Sequence, residues 1–325
     1  GDFSTNIALL LGSKHRKNPR EVAKTILENI KSPFFEKIEI AGPGFINFFL
    51  DFNYILQYLT EIYKDFSNFL SPKVKDSKRI LIEYVSANPT GPLHIGHGRG
   101  ATIGSTLALV LRELGNSVVE EFYINDAGSQ IRNLGISILR RCRELKGEKV
   151  EFEDGLYCGD YVIDLAKKFM ENNEYYDETE ENIKKASDFG KNIVLNWIKE
   201  DLKDFKVEFD NFVSEKAIVE NGEVEKTIEK LKAGGFIYQK DSAIWFKSTD
   251  FGDDKDRVLI KENGEKTYFA SDIAYHKNKY DRAFDKYINI WGADHHGYVK
   301  RVQSAIKALG YDETKLTILM VQMVS

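Results

Sequence analysis

The sequence predicts an α/β protein: a doubly wound, Rossmann-like parallel sheet with a mainly helical insertion, preceded by a small α+β module. Three observations predict it. ILIEYVS at 80–86, a helical run ATIGSTLALVLRELG at 101–115 and VVEEFYIND at 118–126 follow one another within about 45 residues, the spacing of a βαβ unit. The first of these runs is short and β-branched, as a strand buried on both faces requires. A second strand-to-helix junction, YINIWG at 287–292 followed by ADHHGYVKRVQSAIKALG, repeats the pattern near the other end.

Composition sets the bounds. With 325 residues, 42% apolar and 30% charged, the chain is long enough for two or three domains and a core without crosslinks, which excludes disordered and fibrous classes. Cys142 and Cys158 form no CxxC or zinc-type spacing, which fits a reducing compartment and a cytoplasmic location. No apolar run approaches the roughly 18 residues of a membrane span. The first residue is not Met, no secretory leader opens the chain, and it ends abruptly at MVQMVS, so a fragment is expected at both ends. Net charge is −5, divided as +3 over residues 1–79 and −8 over the rest. Lys14, Arg16, Lys17 and Arg20 near the start, and Lys73, Lys75, Lys78 and Arg79 at its close, mark a basic module that suits a polyanion.

In chain order, residues 4–30 have helical spacing broken at Asn18-Pro19, and 38–50 read as two strands turning at Gly42-Pro43-Gly44. A helix over 53–69 leads to a polar linker, SPKVKDSK, at 71–78. The first module is therefore expected at 1–72 and the first half of the sheet domain at 73–126, its helix stopping at Gly115 as C-cap. Residues 127–257, largely helical and charged, read as the insertion. Residues 258–325 return to the sheet domain. Strands are expected in AIWFKSTDFG, in RVLIKENGEKTYFAS with a turn at Glu262-Asn263-Gly264, and in LTILMVQMV.

The chemistry concentrates between the first core strand and its helix, in a loop carrying Asn88, Pro89, Gly91, Pro92, His94, Gly96, His97 and Gly98. Ligands of open α/β sheets bind beyond the carboxyl ends of strands, and helix N-termini attract anions. His94 and His97, three apart, share a face if the helix has begun, and two imidazoles suit a phosphate on which charge develops. Removing one such donor costs roughly 2.7–4 kcal/mol in a transition state. Gly96, lacking Cβ, leaves room for a flat group such as a base. A His pair at this spacing, with no cysteine or carboxylate signature, is a poor metal site, and no protein metal ligand is expected.

His94-Ile95-Gly96-His97, preceded by Asn88-Pro89-Thr90-Gly91-Pro92-Leu93, resembles the HIGH signature of class I aminoacyl-tRNA synthetases. Glu83 in the preceding strand, Tyr123-Ile124-Asn125-Asp126-Ala127-Gly128, Trp291-Gly292-Ala293-Asp294-His295-His296, and DFSTNIAL with GPGFINF together resemble the bacterial arginyl-tRNA synthetases. The resemblance implies a ligase that activates L-arginine with ATP, accompanied by Mg²⁺, and transfers it to tRNA(Arg), with no membrane or DNA partner. It implies His94 and His97 as catalytic groups on the phosphate. For ATP it implies Pro92, His94, Gly96, His97, Gly292, Asp294, His295, Met323 and Val324. For arginine it implies Glu83, Asn88, Tyr268, Asp272, His296, Asp126 and Gln130, since a planar guanidinium is best held by carboxylates. The basic N-terminal module is the expected tRNA contact, through phosphates. The KMSK-type loop and the anticodon-binding domain of that family do not occur in these 325 residues, so the isolated chain is expected to be inactive or impaired. A class I synthetase of another specificity and an HxGH nucleotidyltransferase stay open as alternatives. A non-enzymatic RNA-binding module also stays open, though it has no need of paired histidines.

Overall fold

The computed structural model describes residues 1–66 and 76–322, and the chain divides into two compact units, Gly1–Lys73 and Val74–Ser325. In the first unit, β1 (Phe3–Thr5), β2 (Phe35–Ala41) and β3 (Phe45–Leu50) form an antiparallel sheet in the order β1-β3-β2. Helices α1 (Ile7–His15) and α2 (Pro19–Asn29) join it around Ala8, Ala23 and Ile46. Asn18 caps α2 by accepting from the Arg20 N–H at 2.9 Å, with Pro19 at the first helical position where its missing N–H costs nothing. Phe3–Thr5 pairs with β3 instead of opening a helix, a correction to the helical reading of 4–30; three residues are too few for periodicity to reveal. Helix α3 (Phe52–Lys64) follows its cap, Asp51. Of the expected helix end and linker, residues 67–75 lie outside the described residues.

The second unit holds a five-stranded, wholly parallel sheet. Its strands are β4 (Arg79–Glu83), β5 (Ser117–Ile124), β6 (Asn211–Ser214), β10 (Lys286–Gly292) and β11 (Leu316–Val321), in the order β11-β10-β4-β5-β6. From β4 the chain winds through α4 (Ile95–Glu113) to β5 and later β6, then returns on the other side of β4 as β10 and β11. The order therefore reverses between β4 and β10, where open α/β sheets form their ligand crevice. Gly115 follows α4 at φ +87°, a left-handed residue just past the helix end.

Helices α5 (Ser129–Leu145), α6 (Asp160–Met170) and α7 (Glu180–Asp204) pack with the sheet through Phe122, Leu134, Ile138, Val162, Ile183 and Val194. The stretch 127–257 is not helical throughout. Asn211–Ser214 pairs in parallel with β5 and forms the edge of the main sheet, too short to stand out between charged helices. After α8 (Glu215–Glu220) and α9 (Glu223–Ala233), strands β7 (Ile237–Lys240), β8 (Ala243–Phe246) and β9 (Arg257–Ile260) make a separate antiparallel sheet. The expected turn forms, closed by Lys261 N–H to the Glu265 carbonyl at 2.8 Å, but TYFAS beyond it is not a strand. Thr267 caps α10 (Tyr268–Asp281) by accepting from the Ala270 N–H, and α11 (Val299–Ala308) precedes β11.

One close approach sets the position of α4. A Cβ on Gly104 would lie 2.3 Å from the ring of Tyr84, a fully buried residue just after β4. Overpacking of this kind costs typically 1–3 kcal/mol, so Gly104→Ala is expected to lower the melting temperature by roughly 2–10 °C in a thermal scan. An unchanged melt would show that α4 shifts freely on the strand.

Candidate active site

A cleft of about 750 Å³ opens at the carboxyl ends of β4, β5, β10 and β11, at the point where strand order reverses. Among the sequence-predicted residues it gathers Glu83, Asn88, His94, Gly96, His97, Gln130, Tyr268, Asp272, Gly292 and His295 along its walls. Asn88 donates to Gln130 at 2.6 Å, joining the β4 loop to the start of α5.

The histidines are arranged by a reciprocal cap. His94 is the N-cap of α4 and its Nδ1 accepts the Gly96 N–H at 3.1 Å; His97 Nδ1 accepts the His94 N–H at 3.3 Å. The rings therefore stack at 3.8 Å between centroids, 26° from parallel, instead of lying side by side on one helical face. Since both Nδ1 atoms accept, each neutral ring carries its proton on Nε2. Burial, and then the neighbouring His94, push the pKa of His97 down to about 4, so it stays an uncharged donor at neutral pH. A Cβ on Gly96 would sit 2.9 Å from His94 Cε1, so the glycine there makes room for the His94 ring.

The floor is acidic. Glu83 is buried, accepts from the Ser86 hydroxyl at 3.0 Å and pairs with Lys279. Asp272 accepts from the Tyr298 hydroxyl at 2.5 Å. Burial pushes its pKa up to about 7; the Tyr298 hydrogen bond pulls the other way, and Glu215 and Glu83 push it higher. Glu215, at the first position of α8, also lines the cleft; burial raises its pKa, Ser271 opposes, and Asp126 adds to it. Among the described residues neither Asp272 nor Glu215 has a lysine or arginine within 4 Å. Tyr123 and Tyr275 stack at 4.1 Å in the same wall, and the buried Tyr123 hydroxyl has no hydrogen-bond partner among the described residues. Two consecutive residues that lead from β4 into the cleft, Val85 at φ +64° and Ser86 at φ +43°, are left-handed; for a β-branched residue this is a strained conformation.

Some expected residues do not join. Asp126 is buried outside the cleft lining: it accepts from the Ser214 hydroxyl and the Lys216 N–H, both at 2.9 Å, and pairs with Lys191 at 3.4 Å, pinning α7 and the β6–α8 junction. Pro92 and His296 are exposed and do not line the cleft. Asp294 lies in the short turn Ala293–Tyr298; its side chain, with Met323 and Val324, falls outside the described residues. Glu215, Tyr298 and Tyr275 escaped sequence reasoning, and Tyr123 entered it only as part of a motif, with no role in the site. The one local signal for Glu215 was the Ser214-Glu215 helix start, concealed because β6 itself was unrecognised. Among the described residues no group of three or more His, Cys, Asp or Glu is placed to hold a metal ion, and no helix is long and apolar enough to cross a membrane.

The chain as a whole has relatives. A family model described as tRNA synthetases class I (R), catalytic domain, matches residues 59–324, and one described as arginyl tRNA synthetase N terminal domain matches residues 1–50. An arginine–tRNA ligase of Geobacter sp. (strain M21) is 46% identical over 332 residues, covering 100% of this chain and 60% of its own. That of Carboxydothermus hydrogenoformans is 46% identical over 330 residues, covering 100% and 59%. The chain thus spans about 60% of the length of the curated relatives it matches. A Campylobacter jejuni crystal structure described as an arginyl tRNA synthetase superposes with a TM-score of 0.78 at 43% identity, over 85% of this chain and 61% of that one. The Thermus thermophilus arginyl-tRNA synthetase, at 19% identity, shares the fold with a TM-score of 0.68 over 97% and 59% of the two chains. On the strength of the catalytic-domain match across most of its length, with the HIGH histidines in the cleft at the reversal of the sheet, the chain belongs to the class I tRNA synthetases of the arginyl type.

Proposed function

We propose that this chain carries the amino-acid activation site of an arginine–tRNA ligase. The observation that supports it best is a cleft in which two carboxylates with no lysine or arginine within 4 Å among the described residues, half-buried Asp272 and buried Glu215, face the same space as two Nε2–H imidazoles. The carboxylate of L-arginine attacks the α-phosphorus of ATP, a bond to the bridging oxygen breaks, and pyrophosphate leaves; the terminal adenosine hydroxyl of tRNA(Arg) then takes the arginyl group and AMP leaves. Positioning and charge stabilisation supply most of the rate in such displacements. His94 and His97 donate to the phosphate oxygens on which charge develops. Gly96, Gly292 and Asp294 take the nucleoside, and His295 the ATP side of the cleft. Asp272 and Glu215 receive the cationic groups of arginine, with Glu83, Asn88, Gln130 and Tyr268 around them. Mg²⁺ travels with the ATP phosphates and needs no cage of protein ligands. The basic N-terminal unit contacts tRNA phosphates, and the reaction takes place in the cytoplasm.

Titration of Asp272 gives the test. Its folded-state pKa is raised to about 7, so the carboxyl is largely protonated below neutrality, and a guanidinium selects the ionised form. Arginine affinity is therefore expected to weaken as pH falls below about 7, approaching tenfold per pH unit, and to level off above it. Calorimetric titration with L-arginine and its uncharged isostere L-citrulline checks this. Citrulline is expected to bind at least about 10⁴-fold more weakly at pH 8. Equal binding of the two, or affinity that rises on acidification, would remove the assignment.

A further inference from the structure

Lys279 lies on α10 with no solvent exposure and does not line the cleft. Its ammonium meets Glu83, donates to Asn289 Oδ1 at 2.9 Å and lies 4.4 Å from the centroid of the Tyr275 ring. Asn289, buried on β10, donates in turn to His276 Nε2 at 3.0 Å, and His276 Nδ1 donates to the Asp272 carbonyl at 2.9 Å. Burial, then Lys279, lower the pKa of His276 to about 3, so it stays neutral and the direction of this chain is fixed. The chain runs from the Glu83 carboxylate on β4, through β10, to the backbone of the residue that carries the second cleft carboxylate.

We propose that Lys279 is a specificity-determining positioning residue of the cation pocket. It holds Glu83 at the cleft floor and cancels its charge. The cleft then presents two uncompensated carboxylates, Asp272 and Glu215, to an amino acid with two cationic ends. The proposal rests on the function proposed above and extends it to a residue that touches no substrate. A buried pair is weak evidence for stability as such, since an apolar replacement is often neutral. Its role is charge arithmetic. Without the ammonium, Glu83 would stand in this space as a third carboxylate with no cation against it, free to leave the floor and compete with Asp272 and Glu215 for the ligand. The groups facing Glu83 are Lys279, Tyr275 and Asp272 from α10 and Tyr123 from β5; its sheet neighbour Glu121 is already paired with Arg282.

The test is calorimetric binding of L-arginine from pH 6.5 to 8.5 to the unaltered chain and to Lys279→Met, Lys279→Gln and Lys279→Arg. Loss of the charge is expected to weaken binding about tenfold or more at every pH from 6.5 to 8.5, because an unheld Glu83 leaves the floor. Lys279→Arg is expected to restore affinity to within about threefold across the range. Lys279→Gln keeps donors for Glu83 and Asn289 and covers the case in which the methionine variant does not fold. If the charge-free variants lose only thermal stability, or if Lys279→Arg does not restore affinity, Lys279 is structural and the proposal fails alone. If the unaltered chain binds no arginine, the functional reading fails and this inference with it.

Discussion

Asp272→Asn is expected to weaken arginine binding by about 10²- to 10³-fold and at the same time to raise the melting temperature. The first effect follows from removing one partner of a buried charge pair, a loss of about 3–5 kcal/mol. The second follows from the sign of the pKa shift. Asp272 binds its proton more tightly folded than unfolded, with a pKa raised from 3.8 to about 7. Its contribution to stability is therefore present at low pH and lost as pH rises through about 7. Above that pH the ionised carboxylate burdens the empty protein, and an amide of the same shape keeps the Tyr298 hydroxyl as partner without the charge. A gain of several degrees at pH 8, vanishing near pH 4, is the expected scanning-calorimetry result. A variant that loses stability and affinity together at pH 8 would make Asp272 a structural residue.

His97→Ala is expected to lower adenylate formation by about 10²- to 10³-fold in pyrophosphate exchange, with ATP affinity within about threefold of the unaltered value. The measurement belongs in an enzyme of the full length of the relatives. Alanine also removes half of the reciprocal cap, which costs about 0.5–2 kcal/mol of stability, so the two effects need separating. His97→Gln does this. Glutamine at the third helical position is a common capping-box partner and can again accept the His94 N–H, while it places no imidazole over the phosphate. Restored melting temperature without restored turnover is the expected pattern. Restored turnover would mean that the cap alone, and not the ring, is what the reaction needs.

The parts of this molecule legible in the sequence are those whose signal is local. ILIEYVS, the helix ending before Gly115 and YINIWG each announce themselves within a dozen residues, and so the sheet could be anticipated. Phe3–Thr5 and Asn211–Ser214 are strands only because a neighbour offers hydrogen bonds, and nothing in three or four residues reports that. The same distinction divides the site. His94, His97, Tyr268 and Asp272 stand in dense motifs, and the cleft gathers all four. Glu215 arrives from a strand that was not recognised. Asp126 sits in a motif-like string, yet folding turns it toward Lys191 and the start of α8. Which side of a short loop faces the cavity is a tertiary fact, and charge or spacing alone does not encode it.

The left-handed pair Val85–Ser86 carries one more consequence. Each such residue costs about 1–3 kcal/mol against relaxed backbone, so the surrounding fold must overdetermine the turn. What holds it is visible: the Ser86 hydroxyl accepts the Tyr123 N–H at 3.1 Å while donating to Glu83. The polar groups beneath the cleft are thus aimed before any substrate arrives, and docking has little local entropy left to surrender. Relaxing the kink with glycine would ease the chain and blur its aim, giving a sturdier molecule that is slower and less discriminating.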